Sequence, residues 1–283
     1  MPKIPVFDTI GLAYRFAYLN FGAIFMTAGV PLLIAAVIGY FVQDAMLGMQ
    51  IETLAGTGGD LAAASSRVLG YALGFNVVQA IFTSIAAVAL HRIALFGPQA
   101  ARLSVGPTEI AFMIVWLAFM IIMMIPIMLI AVLDITPGSN PPPGMGGVVF
   151  AILIGYFAFA IISIRLLPVF PHLVATGEFA PRQAMEMTRG NWWRIFGCFF
   201  FAFLPLPLVA VGTNPIAYNP NLGKLSPAEL IQIMTQAREG LIVSTVIMYV
   251  FGVLMTAIGI AILSYIYKIL GGLQPADLLP DRS

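Results

Sequence analysis

The sequence predicts an all-α fold, a polytopic membrane helical bundle of about six spans. Three observations predict it. Of the 283 residues 60% are hydrophobic and only 9% are Asp, Glu, Lys or Arg, against roughly 25% charged in an ordinary soluble domain. The charges gather between apolar runs instead of alternating with them, so they cannot coat a water-soluble surface. Six runs approach the ~20 residues a helix needs to cross about 30 Å of hydrocarbon. They cover 21–42, 68–90, 111–133, 148–164, 195–211 and 241–267, the fourth and fifth being short unless their flanks extend them. Backbone groups have no water partner in lipid, so helices are expected, and the runs lack the alternation of barrel strands. The chain reads as one integral membrane domain, 1–283.

The segments between the spans support that division. AGTGGD (55–60) ends in Asp60, placed to cap the second helix, and TPGSNPPPGMGG (136–147) is too rich in turn residues to be helical. Between the fifth and sixth spans, Ser226, Pro227 and Glu229 spell a capping box with proline at the first helical position. A short amphipathic surface helix is predicted over 227–239, ended by Gly240.

Basic residues set the expected orientation. With the N-terminus inside, Lys3, Arg15, Arg92, Arg102, Arg165, Arg182, Arg189, Arg194, Lys268 and Arg282 are cytoplasmic, ten in all, against three (Arg67, Lys224, Arg238) on the other side. Trp116, Trp192 and Trp193 fall at the cytoplasmic entries of spans, where aromatic rings favour the headgroup layer. A multi-pass protein of a bacterial-type inner membrane, with both termini cytoplasmic, is the expectation. Asp8 and Arg15 interrupt the first apolar residues, so no cleaved signal peptide is expected.

Pro31, Pro126 and Pro205 each lie ten residues after an aromatic or aliphatic entry residue (Phe21, Trp116, Ile195) of an odd-numbered span. The even spans end in HRIAL, IRLLP and YKILG, which align Arg92, Arg165 and Lys268. Either three copies of one hairpin or the ordinary frequency of proline and terminal bases in membrane helices accounts for this pattern. A kink is expected at each proline.

The most distinctive stretch is EFAPRQAMEMTRGNWWRIFG (178–197). Arg182, Glu186, Arg189 and Trp193 form a polar stripe, and Met185, Thr188, Trp192 and Ile195 the opposite face, as in a helix lying in the cytoplasmic interface. Arg182, Arg189, Trp192, Trp193 and Arg194 are therefore the candidates for lipid or partner binding, with topological anchoring as the plainer role. Residues 7–20 look like a weaker copy, with Phe7, Ile10, Tyr14 and Ala17 on one face. The motif Ala184, Met187, Thr188, Gly190, Asn191, Trp192, Trp193, Arg194 and Phe196, ahead of a phenylalanine-rich span, resembles a widespread group of bacterial membrane proteins. That group includes the membrane domain attached to some glycerophosphodiester phosphodiesterases and the YciC-like families. The resemblance implies about six spans, a membrane module without established activity and no site residues to carry over; the soluble phosphodiesterase barrel is missing.

Few polar residues enter the hydrocarbon. Asn76, Gln79 and Thr83 share one face of the second span, as packing contacts or a transport path. His91 and His172 are the only histidines and belong to no ligand spacing, and Cys198 is single, so no metal, cofactor or disulfide is expected. No nucleophile elbow or phosphate-binding loop occurs. The methionines of FMIIMMIPIM (119–128) suit a packable helix better than a copper site. The expected role is a non-catalytic membrane scaffold or lipid-interacting module, with a small transporter or channel subunit as the alternative. Expected partners are membrane lipids and another membrane protein or a second copy of this chain. At net charge +1 no attraction to nucleic acid is expected.

Overall fold

The computed structural model describes residues 2–56, 61–132, 145–213 and 225–271. Asp60, Asp134, the connector up to Gly144, Lys224 and Arg282 lie outside them. Every regular element among the described residues is helical. Helix α1 (Val6–Leu19) leads through α2 (Phe21–Ile24) and a π turn into α3 (Val30–Leu54). Then follow α4 (Leu61–Phe96), α5 (Pro107–Val132), α6 (Met145–Leu166), α7 (Val169–Thr176), α8 (Pro181–Met187) and α9 (Trp192–Ala202). The last three are α10 (Pro205–Thr213), α11 (Pro227–Glu239) and α12 (Leu241–Leu270).

Five helical stretches among the described residues are long and apolar enough to cross a membrane: Phe21–Leu54, Gly70–Phe96, Ile154–Thr176, Trp192–Val209 and Leu241–Leu270. The protein is a multi-pass membrane protein. The expected third span falls on α5, a helix of 26 residues that extends about 39 Å at the standard rise; its described apolar part is Pro107–Ile122.

Packing is uneven along the bundle. The buried core joins Ala86–Leu90 and Ile93 of α4 to Val253–Ile266 of α12, with α1, α7 and α9 around them. Alanine and glycine recur at this seam, letting backbones approach where lipid supplies no hydrophobic drive between helices. At the opposite end α3 buries only Pro31, Ala35 and Gly39, a stripe at four-residue spacing, and leaves Val37 and Phe41 exposed. Gly39 is where α3 meets α4: a Cβ there would stand 2.8 and 2.9 Å from the Phe75 ring.

The three prolines behave differently. Pro31 is preceded by the π turn Phe25–Gly29, which absorbs the lost backbone donor by widening the helix. The Tyr249 hydroxyl donates to the Gly29 carbonyl (3.0 Å) and pins α12 to this turn. Before Pro205 the helix stops, α9 ending at Ala202 and α10 starting at Pro205. At Pro126 α5 continues as one helix, so backbone irregularities accompany Pro31 and Pro205. Arg92, Arg165 and Lys268 do share one end of the molecule. Each donates into a neighbouring segment: Arg92 to Glu109 (2.7 Å), Arg165 to the Met185 carbonyl (2.7 Å) and Lys268 to the Ala94 carbonyl (2.9 Å).

The tightness of the α3–α4 contact makes Gly39→Val a sensitive probe. It should lower thermal stability in detergent by roughly 1–3 kcal/mol, the usual cost of overpacking, and Phe75→Ala in the same chain should restore most of it.

Candidate functional site

Two regions carry the predicted site residues, one at each end. At the compact end the stretch 178–197 exposes the predicted faces. Arg182, Glu186, Arg189 and Trp193 are exposed, while Met185 and Trp192 are half-buried and Thr188 and Ile195 buried. It is not one helix: α8 stops at Met187, and the chain turns through Gly190, at φ +78°, before α9 begins. At the stop the buried Thr188 hydroxyl shares its one hydrogen between the Ala184 carbonyl (2.9 Å) and the Arg165 carbonyl (3.1 Å), tying the end of α8 to α6.

The arginines have separate fates. Arg182 pairs with Glu186 one turn on (3.1 Å), an exposed pair of small worth. Arg189 is exposed. Arg194 turns inward and donates to the Ile4 carbonyl (3.1 Å). Asn191 completes that clamp, donating to the Pro2 carbonyl (3.0 Å) and accepting from the Ile4 amide (3.3 Å). Arg194 is thus an internal tether for the N-terminal segment. Trp192 and Trp193 lie 4.7 Å apart, and Trp193, Phe196 and Phe200 stack in sequence along α9 as an exposed aromatic ridge.

The buried face of α1 is Thr9, Ala13, Phe16 and Ala17. On the predicted apolar face Phe7 is 72% exposed against Phe201, and Tyr14 stays near the surface with its hydroxyl donating to the Ala202 carbonyl. The half-buried Trp116 ring packs on Phe119 and Phe170.

At the other end α3, α4, α5 and α12 diverge around a groove of about 1230 Å³. Asn76, Gln79 and Thr83 all line it, so the polar face of the second span is brought together with other walls. Those walls add Gln43 and Gln50 from α3, Trp116 and Met120 from α5, and Ser244 and Thr256 from α12. Asn76 donates to the Ala72 carbonyl of its own helix (2.7 Å), not to a neighbour. No lining side chain is ionisable apart from Tyr40 and Tyr249. The groove narrows into the packed half, where Ser84, Ala86–Ala94 and Ala257–Ile266 are buried.

Helix α11 lies across the rim and contributes Ala237 to the lining. Its capping box forms as the sequence predicts: the Ser226 hydroxyl accepts from the Glu229 amide (3.3 Å), and Glu229 accepts from the Ser226 amide (2.7 Å). Arg238 at its last turn holds Asp44 of α3 through two bonds of 2.6 and 2.9 Å. Comparison with protein-family models, curated proteins and solved structures finds no significant match.

Two outcomes follow from these contacts. Asn191→Leu should release the N-terminal clamp, raising amide exchange at Ile4–Thr9 by about tenfold or more, whereas Arg189→Gln should leave it unchanged. The Ser226 backbone and hydroxyl hold the Glu229 carboxyl below its ordinary range. Its contribution to α11 is therefore complete above the unfolded value of about 4.3 and is lost as pH falls through the lowered folded value. Exchange protection of the first turn of α11 should be flat from neutrality to about pH 5 and decline only below about pH 4.

Proposed function

We propose that this chain is a non-catalytic multi-pass protein of a bacterial-type inner membrane, both ends cytoplasmic, that takes a membrane lipid into the groove between α3, α4, α5 and α12. The orientation draws on the gathering of Arg92, Arg165, Arg189, Arg194 and Lys268 at the compact end, with the Trp193 ridge beside them. On that orientation the groove lies in the outer half of the bilayer. The resemblance to bacterial six-span membrane modules agrees with a binding or scaffold role rather than catalysis.

One observation carries the proposal: a groove of about 1230 Å³ among membrane-spanning helices, mostly apolar, with uncharged hydrogen-bonding groups set into it. Small-molecule pockets run to ~300–1,000 Å³, so this one suits an extended molecule. A groove walled by Leu32, Phe75, Leu117 and Met248 excludes water and attracts hydrocarbon chains. The transporter reading draws on the same Asn76, Gln79 and Thr83. Against passage stands the packed half of α4 and α12, which closes the groove at its inner end.

Gly252 provides the test. It lines the groove, and a Cβ there would meet nothing within 4 Å, so Gly252→Phe sends its ring into the groove from a position that accepts a side chain. Native mass spectrometry of the protein released from detergent should show a lipid adduct that Gly252→Phe reduces by about tenfold. Gly155→Phe, at another position where a Cβ meets nothing within 4 Å, should keep it. Reconstituted vesicles should pass polar solutes no faster than empty ones; flux that falls when Asn76 and Gln79 become leucine would replace binding by transport.

A further inference from the structure

We infer that the groove's ligand is a lipid with an uncharged polar head held inside the groove, and that it enters sideways from the bilayer between α3 and α12. The inference rests on the groove being a lipid site and names the class of lipid and its route.

The route is visible in the seam between α3 and α12. A second crevice of about 230 Å³ lies on that seam, walled by Leu33, Val37, Phe41, Ile242 and Val246, and Ala36, Tyr40, Thr245 and Tyr249 line both it and the groove. The partition between bilayer and groove is therefore one side chain thick, with small residues at Ala36 and Thr245. It is pinned at its inner end by Tyr249 on the Gly29 carbonyl and at its outer end by Arg238 on Asp44. Phe41, Ile242 and Val246 are exposed on the outer side, so the material lying against the seam is lipid.

The class of head follows from the charges. Among the described residues, none of the side chains lining the groove is Asp, Glu, Lys, Arg or His. At the mouth, Asp44 and Arg238 are joined in a two-bond ion pair, and Glu52 of α3 also acts on Arg238. A phosphate or ammonium drawn inside would be a charge in low dielectric without a counter-charge, which is strongly unfavourable. The carboxamides of Gln43, Asn76 and Gln79 and the hydroxyls of Thr83 and Ser244 set the opposite condition. In hydrocarbon each spare donor or acceptor left unpaired is costly, so a ligand that brings only methylenes, leaving its head outside, satisfies none of them. A hydroxyl, ester or amide head meets both conditions.

The experiment uses the full chain in nanodiscs doped at equal mole fraction with photoactivatable diacylglycerol or phosphatidylglycerol carrying the same diazirine acyl chain. Cross-linked peptides are read by mass spectrometry. The diacylglycerol probe should label groove-lining peptides of α3, α4 and α12 about tenfold more than the phosphatidylglycerol probe, the equivalent of one or two buried hydrogen bonds. Asn76→Leu combined with Gln79→Leu should erase that preference while labelling persists. Ala36→Phe, which thickens the partition, should slow the onset of diacylglycerol labelling, and Asp44→Asn should hasten it. Equal labelling by the two probes in the unaltered chain overturns the inference about the head and leaves the groove as a lipid site. Onset unaffected by both Ala36→Phe and Asp44→Asn overturns the lateral route. Absence of groove labelling with either probe removes the groove proposal itself.

Discussion

The seam between α4 and α12 in the compact half is what the rest of the molecule hangs on. Helices in lipid are not pressed together by water, so their contact depends on close approach of small residues and on hydrogen bonds. Both are concentrated here. Ala86, Ala87 and Ala89 on α4 and Ala257 and Ala261 on α12 are buried, while Gly259 of α12 admits the Phe203 ring on another side. His91 shares a proton with Ser264 across the seam (2.8 Å), and Lys268 closes its end on the Ala94 carbonyl. Around it, α1 is held by Asn191 and Arg194, and α5 by the buried pair of Arg92 and Glu109, to which Ser104 also donates (2.6 Å). Such a buried pair is weak evidence for stability but strongly specifies register, since either partner alone would be an unpaired charge.

The same constraint explains why the other half is open. The α3 stripe of Pro31, Ala35 and Gly39 is narrow, and beyond it α3 carries Val37, Phe41 and Met46, side chains that fill space against lipid instead of admitting a second backbone. The π turn before Pro31 lies where α3 leaves the packed half, and the Tyr249 contact there marks the last direct bond between α3 and α12. Outward of that point the two helices meet along the thin seam of Leu33, Val37 and Phe41 against Ile242, Thr245 and Val246, and α11 bridges them at the rim. A groove is what remains when four helices share one tight end and lack the small residues to share the other.

Local chemistry was fully legible in the sequence, and long-range pairing was not. The capping box of α11 was readable because Ser226 and Glu229 are three residues apart, and its end at Gly240 likewise. The two faces of 178–197 were readable from periodicity, although the helix breaks at Thr188, because the side chains keep their sides through the Gly190 turn. Periodicity did not single out Thr9 and Phe16, which α1 buries with Ala13 and Ala17, nor could it pair Trp116 with Phe170 on another helix. The polar face of the second span was visible as Asn76, Gln79 and Thr83, yet its meaning depends on walls from three other helices that no spacing encodes. Arg238 and Asp44 are 194 residues apart, and nothing in the neighbourhood of either forecasts the other.

The two pins on the α3–α12 seam differ in strength, and that difference decides how the seam moves. The Tyr249 hydroxyl bonds the Gly29 carbonyl at bundle depth, where breaking it would leave two polar groups in hydrocarbon. The Arg238 and Asp44 side chains are 46% and 33% exposed, so water replaces much of what their separation loses, and an exposed pair of this kind contributes little. The outer end of the seam therefore opens far more readily than the inner end. A seam that yields first at its water-exposed end suits lateral entry into a groove whose described lining carries no Asp, Glu, Lys, Arg or His.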